Sequence, residues 1–143
     1  MPRSHDIAEI VTAAHTLTRL AALQTKNDSP AAKWRALSVL STDGPLRLGA
    51  LATASRTTQP GMTKLVGAME KEGLVRRDGD PSDSRATVIS VTAQGRTALA
   101  DWRLELRDAL MPLFADLGDD EWATLSRAAR ILTSHTTLQG AAE

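Results

Sequence analysis

Apolar residues recur every three to four positions along most of this chain, which is the spacing of amphipathic helices. In residues 6–24 they form a single stripe, made of Ile7, Ile10, Val11, Ala14, Leu17, Leu20 and Ala21. Ser29 and Pro30 form a cap-plus-proline signal that begins a second helix, and the turn residues at 42–45 end it. Two more helices are predicted near the other end, from Ala93 to about Ala115 and over residues 119–135.

The two C-terminal helices carry their own start signals and apolar stripes. Thr92 is the predicted cap of the long helix, and Pro112 is expected to kink that helix near its end. The last helix should turn four apolar residues inward: Trp122, Leu125, Ala129 and Leu132. The tail over residues 136–143 is expected to fray.

Between residues 46 and 73 the pattern predicts two short helices joined by a tight turn. LRLGALATA at 46–54 is the first helix, and SRT at 55–57 is the connection. The second helix spans 57–73, with Thr57 or Thr58 as its cap and Pro60 tolerated because it lies in the first turn. Its predicted buried stripe consists of Met62, Leu65, Val66 and Met69.

After Gly73 the pattern changes from helical to strand-like. LVRRD and ATVIS are predicted strands, the second because it contains three β-branched residues in a row. The polar residues between them, 79–84, favour a turn. The prediction is an all-α fold with one small β-hairpin. Because the first and last helices have apolar stripes and no partner left in so small a core, a second copy of the chain is expected to cover them.

Composition narrows the possible chemistry. The 143 residues include no cysteine, which excludes disulfides, thiolate metal sites and thiol redox sensing. The three histidines form no i,i+4 pair, so no zinc site is predicted. No catalytic triad and no phosphate-cradling glycine loop is visible, so neither an enzyme nor a cofactor is predicted. The start of the chain lacks the apolar run of a signal peptide, and no membrane-spanning stretch occurs, so a cytoplasmic location is expected.

The charge is unevenly distributed although the net charge is zero. Residues 56–96 carry seven Lys or Arg and five Asp or Glu, whereas residues 97–143 carry four and eight. A cationic surface, if the protein has one, would therefore lie in the middle of the chain.

A short helix, a tight turn, a second helix and a hairpin together predict a winged helix-turn-helix, whose second helix enters the DNA major groove. Gln suits adenine, Thr suits several base edges, and Lys or Arg reaches guanine or phosphate. The residues predicted to contact DNA from this helix and its turn are Arg56, Thr57, Thr58, Gln59, Pro60, Thr63 and Lys64.

The hairpin has the properties expected of a wing. Arg85, beside Ser84 at the tip, is predicted to enter a minor groove, because narrow minor grooves attract an inserted arginine. Asp83 is close enough in sequence to hold the Arg85 guanidinium. Arg76 and Arg77 alternate faces of a strand, so one of them, taken to be Arg77, can face the DNA backbone. Arg47 is predicted to meet a phosphate.

Three motifs lie in and beside the hairpin: D-P-x-D-x-R at 80–85, E-K-x-G-L-V at 70–75 and V-T-x-x-G-R at 91–96. With them, the chain resembles the MarR family of bacterial transcription regulators over about residues 30–115. The resemblance implies one domain over residues 1–143, with dimerisation helices at 5–28 and 92–138 and a DNA-binding lobe at 31–91. The chain departs from the family at Arg47 and Ala50, where a capping box is usual.

The resemblance also implies a homodimer that binds a pseudo-palindromic double-stranded operator. Many relatives are repressors released by small aromatic or phenolic ligands. His15, Arg19, Trp34 and Trp102 can line such a pocket, with the ring on tryptophan and the carboxylate on arginine. The alternative is that both tryptophans are core residues and Arg19 is solvated. An alternative function is a winged-helix module that binds a protein through the same surface and has no operator.

Overall fold

The computed structural model describes residues 2–25 and 30–136. In chain order its elements are α1 Pro2–Gln24, α2 Ala31–Asp43, β1 Leu46–Arg47, α3 Leu48–Ala54, α4 Gln59–Lys71, β2 Val75–Asp80, β3 Asp83–Val91, α5 Ala93–Leu110, a 3₁₀ turn at Met111–Phe114, and α6 Asp119–Thr136. The predicted fold class, all-α with a small β-hairpin wing, is confirmed, and β1 adds a third strand to the hairpin. Ser29 and the tail over 137–143 lie outside the described residues.

The chain divides into two compact units, with both divisions near helix ends. One unit contains α1 as far as Ala21 together with the chain from Arg107 onward. The other spans Ala22–Leu106 and therefore contains the helix-turn-helix and the hairpin.

The sheet has three strands in the order β1-β3-β2, all antiparallel. The predicted hairpin is present, but the assignment of Leu46 and Arg47 to a helix was wrong. These two residues pair with Ile89 and Val88 of β3, and α3 begins only at Leu48. The free edge of β3 provides backbone partners for this segment, and local helical periodicity does not reveal such pairing.

The core of the Ala22–Leu106 unit lies between α2, α3, α4 and the sheet. Seven large side chains are fully buried in this core, the last of them from α5: Leu37, Leu40, Leu51, Met62, Met69, Ile89 and Leu99. The predicted stripe of α4 is confirmed for Met62, Val66 and Met69, whereas Leu65 is only half-buried. Trp34 stacks on Trp102 with ring centroids 5.1 Å apart.

Thr92 joins the end of α4, the start of β2 and the start of α5. Its hydroxyl donates to the carbonyl of Gly73 at 2.6 Å and accepts from the N–H of Gly95 at 3.0 Å. Thr92 is thus the cap of α5, as predicted. The ideal Cβ position of Gly95 lies 2.1 Å from the carbonyl oxygen of Leu74, so only glycine allows this close approach.

The end of α5 differs from its prediction. A helix running to about Ala115 with a kink at Pro112 was expected, but α5 ends at Leu110 and a 3₁₀ turn follows. Proline has no N–H and its ring collides with the carbonyl four residues earlier. In the first turn of a new short helix neither property carries a cost, so the chain restarts instead of bending.

The apolar faces of the terminal helices are exposed in the single chain. α6 has no buried residue, and Trp122 and Leu125 are 37% and 42% exposed. The prediction that Trp122, Leu125 and Ala129 turn inward is therefore wrong within a single chain. Leu132 is half-buried. In α1, Ile7 is 58% exposed. The unit has too few elements to cover both stripes.

Candidate nucleic-acid interface

The turn between α3 and α4 is held by hydrogen bonds to one carbonyl. The backbone oxygen of Ser55 accepts from Arg35 Nε at 2.9 Å and from Thr57 Oγ1 at 3.3 Å. Arg56 follows with a φ of 54°, the only positive φ at a non-glycine residue among the described residues. The role of Arg35 was missed from the sequence, because 20 residues separate it from the turn.

Thr58, not Thr57, is the cap of α4. Its side chain accepts from the N–H of Gly61 at 3.2 Å, which satisfies one of the free donors of the first turn. A Cβ at Gly61 would lie 2.9 Å from Thr58 Oγ1, so glycine leaves room for the cap. Pro60 lies in the first turn, as expected.

The exposed side of α4 contains most of the predicted recognition residues. Gln59, Pro60, Thr63 and Lys64 are all exposed, and Met62, Val66 and Met69 bury the opposite side. Thr63 Oγ1 donates to the Gln59 carbonyl at 3.0 Å. Lys71 is exposed seven residues after Lys64 and so shares its side of the helix. Sequence reasoning missed Lys71, although the i,i+7 spacing of the two lysines would have shown it.

The wing turn is organised by the carboxylate of Asp80. Its Oδ1 accepts from the N–H and the hydroxyl of Ser82 at 2.8 and 2.7 Å. Its Oδ2 accepts from Arg47 Nε at 2.8 Å. These hydrogen bonds, those from Ser82 first, lower the pKa of Asp80 from 3.8 to about 2.

Asp83 plays a different part from the predicted one. Its carboxylate accepts from the backbone N–H of Arg85 at 3.0 Å, so it orders the strand and does not hold the guanidinium. A partner two residues away reaches the backbone more readily than the end of a long side chain. Within the described ranges the Arg85 guanidinium has no partner. Ser84 and Arg85 are both exposed at the tip.

Most of the acidic side chains near α4 and the wing are neutralised by ion pairs with Lys or Arg. Glu72 pairs with Lys33 at 2.7 Å, Asp80 with Arg47, Asp78 with Arg76 at 2.8 Å, and Glu70 with Arg77 at 3.5 Å. Among the described residues, four exposed cations of this region have no acidic partner: Arg56, Lys64, Lys71 and Arg85. The pairing leaves a cationic surface on a chain whose net charge is zero.

The residues of the predicted ligand pocket are divided between the two units. Trp34 and Trp102 form the stack described above, and His15 and Arg19 belong to α1 in the other unit. Trp34 is 6% exposed, and its indole N–H has no acceptor among the described residues. Trp102 is half-buried. The alternative is confirmed, since Trp34 belongs to the core, Trp102 packs against it and Arg19 is exposed. The ligand pocket stays a prediction.

Together α3, the turn, α4 and the β2–β3 hairpin form a winged helix-turn-helix, the fold of a DNA-binding protein. The sequence profile of the MarR family matches residues 30–87. The HTH-type transcriptional regulator Mb0904 of Mycobacterium bovis is 30% identical over 97 residues, which cover 68% of this chain and 68% of the relative. The chain belongs to the MarR family of transcription regulators, and the predictions of this family and of a non-enzymatic protein are confirmed.

Solved structures agree with the fold. Wild-type apo MarR from E. coli superposes with a TM-score of 0.70 at 20% identity, covering 87% of this chain and 93% of that chain. BpsR of Bordetella bronchiseptica, whose DNA binding is regulated by 6-hydroxynicotinic acid, superposes with a TM-score of 0.57 at 20% identity and covers 90% of this chain and 98% of that one.

Two further findings concern other kinds of site. Over residues 2–25 and 30–136, no helix is both long and apolar enough to cross a membrane. In the same ranges no three His, Asp or Glu side chains are grouped so that they could hold a metal ion.

Proposed function

We propose that this protein is a sequence-specific regulator that binds a pseudo-palindromic operator as a homodimer and represses transcription in the cytoplasm. The observation that carries operator binding is the set of exposed cations without acidic partners on α4, its turn and the wing. Unpaired cations attract phosphates and release counterions, which supplies much of the affinity of DNA-binding proteins.

Base reading is assigned to the first turns of α4. Gln59, Thr63 and Lys64 are exposed on one side of the helix, and their amide, hydroxyl and ammonium groups suit base edges. Thr57, Thr58 and Pro60 lie at the same end, where the helix dipole and free N–H groups favour phosphate. Arg56 and Arg77 are assigned to the backbone, Arg77 after release from Glu70.

The wing is assigned to the minor groove. Arg85 is exposed and its guanidinium is unpaired within the described chain, so no internal contact has to break before it binds. Ser84 lies beside it, and Asp83 supports the Arg85 backbone. A single extended arginine suits the narrow groove beside each half-site.

Dimerisation is proposed from the exposed apolar residues of α1 and α6. Ile7, Val11, Trp122, Leu125 and Ile131 are each more than a third exposed in the single chain. Exposed apolar residues in such numbers mark a protein-binding surface. A two-fold pair of chains would also place two α4 helices for the two halves of a palindrome.

Repression and release by a small aromatic ligand are the finer part of the proposal. A dimer that occupies two successive major grooves excludes other proteins from that DNA. The buried Trp34 N–H, beside Trp102, has no acceptor among the described residues, and a ligand acceptor would satisfy it. His15 and Arg19 belong to the other unit, and their part in ligand binding is proposed from the family resemblance alone. Quenching of tryptophan fluorescence by 6-hydroxynicotinic acid, lost in Arg19→Ala, would support this part. Unchanged fluorescence and unchanged operator release would exclude that compound as the ligand.

The experiment for operator binding is selection of bound sequences from a random duplex pool, with wild type and Arg85→Ala in parallel. We expect a pseudo-palindrome with half-sites about one helical turn apart, and a weaker preference at its flanks in the mutant. The salt slope of log affinity should be about −0.9 per neutralised phosphate.

The second candidate function, a protein-binding winged-helix module, predicts a different outcome. It predicts no enrichment of any duplex sequence, even at low salt. It also leaves the unpaired cations of α4 and the wing without a DNA partner, which is why operator binding is the preferred function.

A further inference from the structure

Arg47 makes a contact that links the helix-turn-helix to the wing. It stands at the N-cap position of α3 with an extended backbone, φ −66° and ψ 153°, and provides no side-chain cap. Its guanidinium lies on the wing turn instead. Nε donates to Asp80 Oδ2 at 2.8 Å, Nη2 lies 2.6 Å from the same oxygen, and Nη2 is 3.4 Å from Ser82 Oγ.

The two carboxylate oxygens of Asp80 accept hydrogen bonds from different partners. Oδ1 accepts from Ser82 within the wing turn, and Oδ2 accepts from Arg47. The Asp80 side chain is only 13% exposed, whereas that of Arg47 is 52% exposed. The arginine thus binds an acceptor that is already fixed in place by its own turn.

The backbone alone provides little support for this end of the wing. β1 contacts β3 through two residues, and the second of these pairs is Arg47 with Val88. From Thr87 to Asp83, β3 has only β2 beside it among the described residues. The β2–β3 register is irregular at Gly79 and Asp80, just before the turn. A side-chain tether therefore has the greatest effect here.

We propose that Arg47 is a positioning residue that holds the wing, and with it Arg85, in a set orientation relative to α3 and α4. It would not then act as the phosphate contact expected from sequence. A guanidinium that already binds a carboxylate has fewer free donors and less net charge to offer a phosphate. The inference rests on the proposed operator binding.

The test compares wild type with Arg47→Ala, Asp80→Asn and the double variant on the selected operator. Asparagine keeps an oxygen for Ser82 but removes the negative charge that binds Arg47. We expect each single variant to lower the affinity by about threefold to fivefold, the effect of one exposed ion pair. The double variant should be no weaker than either, because both changes remove the same contact.

Two readouts separate positioning from phosphate binding. If Arg47 positions the wing, the variants lose base preference at the flanking operator positions assigned to Arg85. The slope of log affinity against log salt concentration is then unchanged. In a phosphate-binding role, Asp80→Asn frees a cation and tightens binding, and Arg47→Ala reduces the slope by about 0.9. Either of the latter results would overturn the inference.

The matched control is the arginine pair that lies within a single strand of the wing. Arg76 and Asp78 are 2.8 Å apart and both exposed, but they lie on the same strand and tether it to nothing else. Arg76→Ala and Asp78→Asn change the charge by the same amounts and should leave flank preference unaltered. An equal loss in these controls would show a charge effect and not a tether.

A DNA-free measurement keeps the inference distinguishable from the proposed function. Amide hydrogen exchange over residues 79–86 should become faster in Arg47→Ala and Asp80→Asn but not in Arg76→Ala. Unchanged exchange would overturn the tether whatever the DNA result. If wild type selects no operator but exchange is faster in the variants, the proposed operator binding is overturned. The Arg47–Asp80 tether is then still supported.

Discussion

At the residue scale, the exposed arginines of the DNA-binding unit divide by what their guanidinium groups already bind. Arg47, Arg76 and Arg77 lie on carboxylates, whereas Arg56 and Arg85 have none within the described residues. An unpaired arginine can approach DNA without losing an internal contact. We therefore expect Arg56 and Arg85 to contribute more to DNA affinity than the paired arginines.

Arg85→Ala should weaken operator binding by roughly 1–3 kcal/mol, since it removes one specific arginine contact. The melting temperature should stay the same, because the internal bond of Arg85 is made by its backbone N–H. Fluorescence anisotropy with the selected operator measures the first quantity and thermal unfolding the second. Arg107→Ala, an exposed arginine on α5, is the control for lost charge. Full affinity of Arg85→Ala would contradict the wing assignment.

Arg56→Gly should separate stability from binding. A non-glycine residue at φ 54° carries backbone strain on the order of 1 kcal/mol, which glycine relieves. The variant should therefore be as stable as wild type or more so, yet bind DNA less tightly and with a salt slope shallower by about 0.9. Arg56→Ala should lose the same affinity without gaining stability. Unchanged affinity in both would remove Arg56 from the interface.

Asp80 should stay ionised to unusually low pH. Its pKa in the folded chain is about 2, below the ordinary value of 3.8. The carboxylate therefore contributes stability that is complete above about pH 4 and is lost as the pH falls toward 2. Carboxyl NMR titration of Asp80 measures this directly, and Arg47→Ala should raise the value. A midpoint near 3.8 in wild type would show that neither Ser82 nor Arg47 binds it in solution.

At the element scale, the start of α5 meets the chain leading into β2 at one glycine. The start of α5 packs against the start of β2 at Gly95, and Thr92 bonds to both sides of this contact. β2 begins and β3 ends beside this contact, so the contact fixes the base of the hairpin. A loss of packing here should affect the whole unit, not only α5.

Gly95→Ala should destabilise the protein by roughly 1–3 kcal/mol, because a Cβ 2.1 Å from the Leu74 carbonyl forces the backbone apart. Gly49→Ala is the matched control. Gly49 is also helical, but nothing lies within 4 Å of its Cβ position. Its replacement should stabilise the chain by up to about 1 kcal/mol. Chemical denaturation measures the change in the free energy of unfolding of both variants, which should be a decrease for Gly95→Ala and an increase for Gly49→Ala. Equal changes would show that close packing at Gly95 is not the cause.

At the scale of the whole molecule, the two units differ in how completely they bury their apolar residues. The Ala22–Leu106 unit has a closed core, whereas α6 in the other unit has no buried side chain. A cleft of about 370 Å³ also opens there, lined by Phe114, Leu117, Leu125 and Thr124 beside two carboxylates. Such a surface is expected to be covered by a second chain.

Leu125→Glu should therefore shift the protein from dimer to monomer at micromolar concentration, because it places a charge in the apolar stripe of α6. Sedimentation velocity distinguishes the two states. Ala123→Glu is the control, since residue 123 is exposed and lies on the opposite side of the helix. Operator affinity should fall with the loss of the dimer. A wild-type monomer at this concentration would contradict the proposed assembly.

Much of the fold followed from local signals. The stripe of α4, its cap at Thr58, the cap of α5 at Thr92 and the hairpin all came from residues within one or two turns of each other. The exposure of Gln59, Thr63 and Lys64, which are proposed to read bases, followed from the same signals. Local signals failed at Pro112, because proline is compatible both with a kink in α5 and with a 3₁₀ turn that follows the end of α5.

Local patterns and motifs along the chain were sufficient to predict the winged helix-turn-helix and its family. Three features depended on tertiary contacts: Leu46 and Arg47 form β1, Arg35 bonds to the turn, and Arg47 binds Asp80. The physical reason is separation along the chain. Helical periodicity and caps act over three or four residues, whereas these contacts join residues 20 to 43 apart. Which of several possible partners an arginine meets is set by the packing of the elements between them.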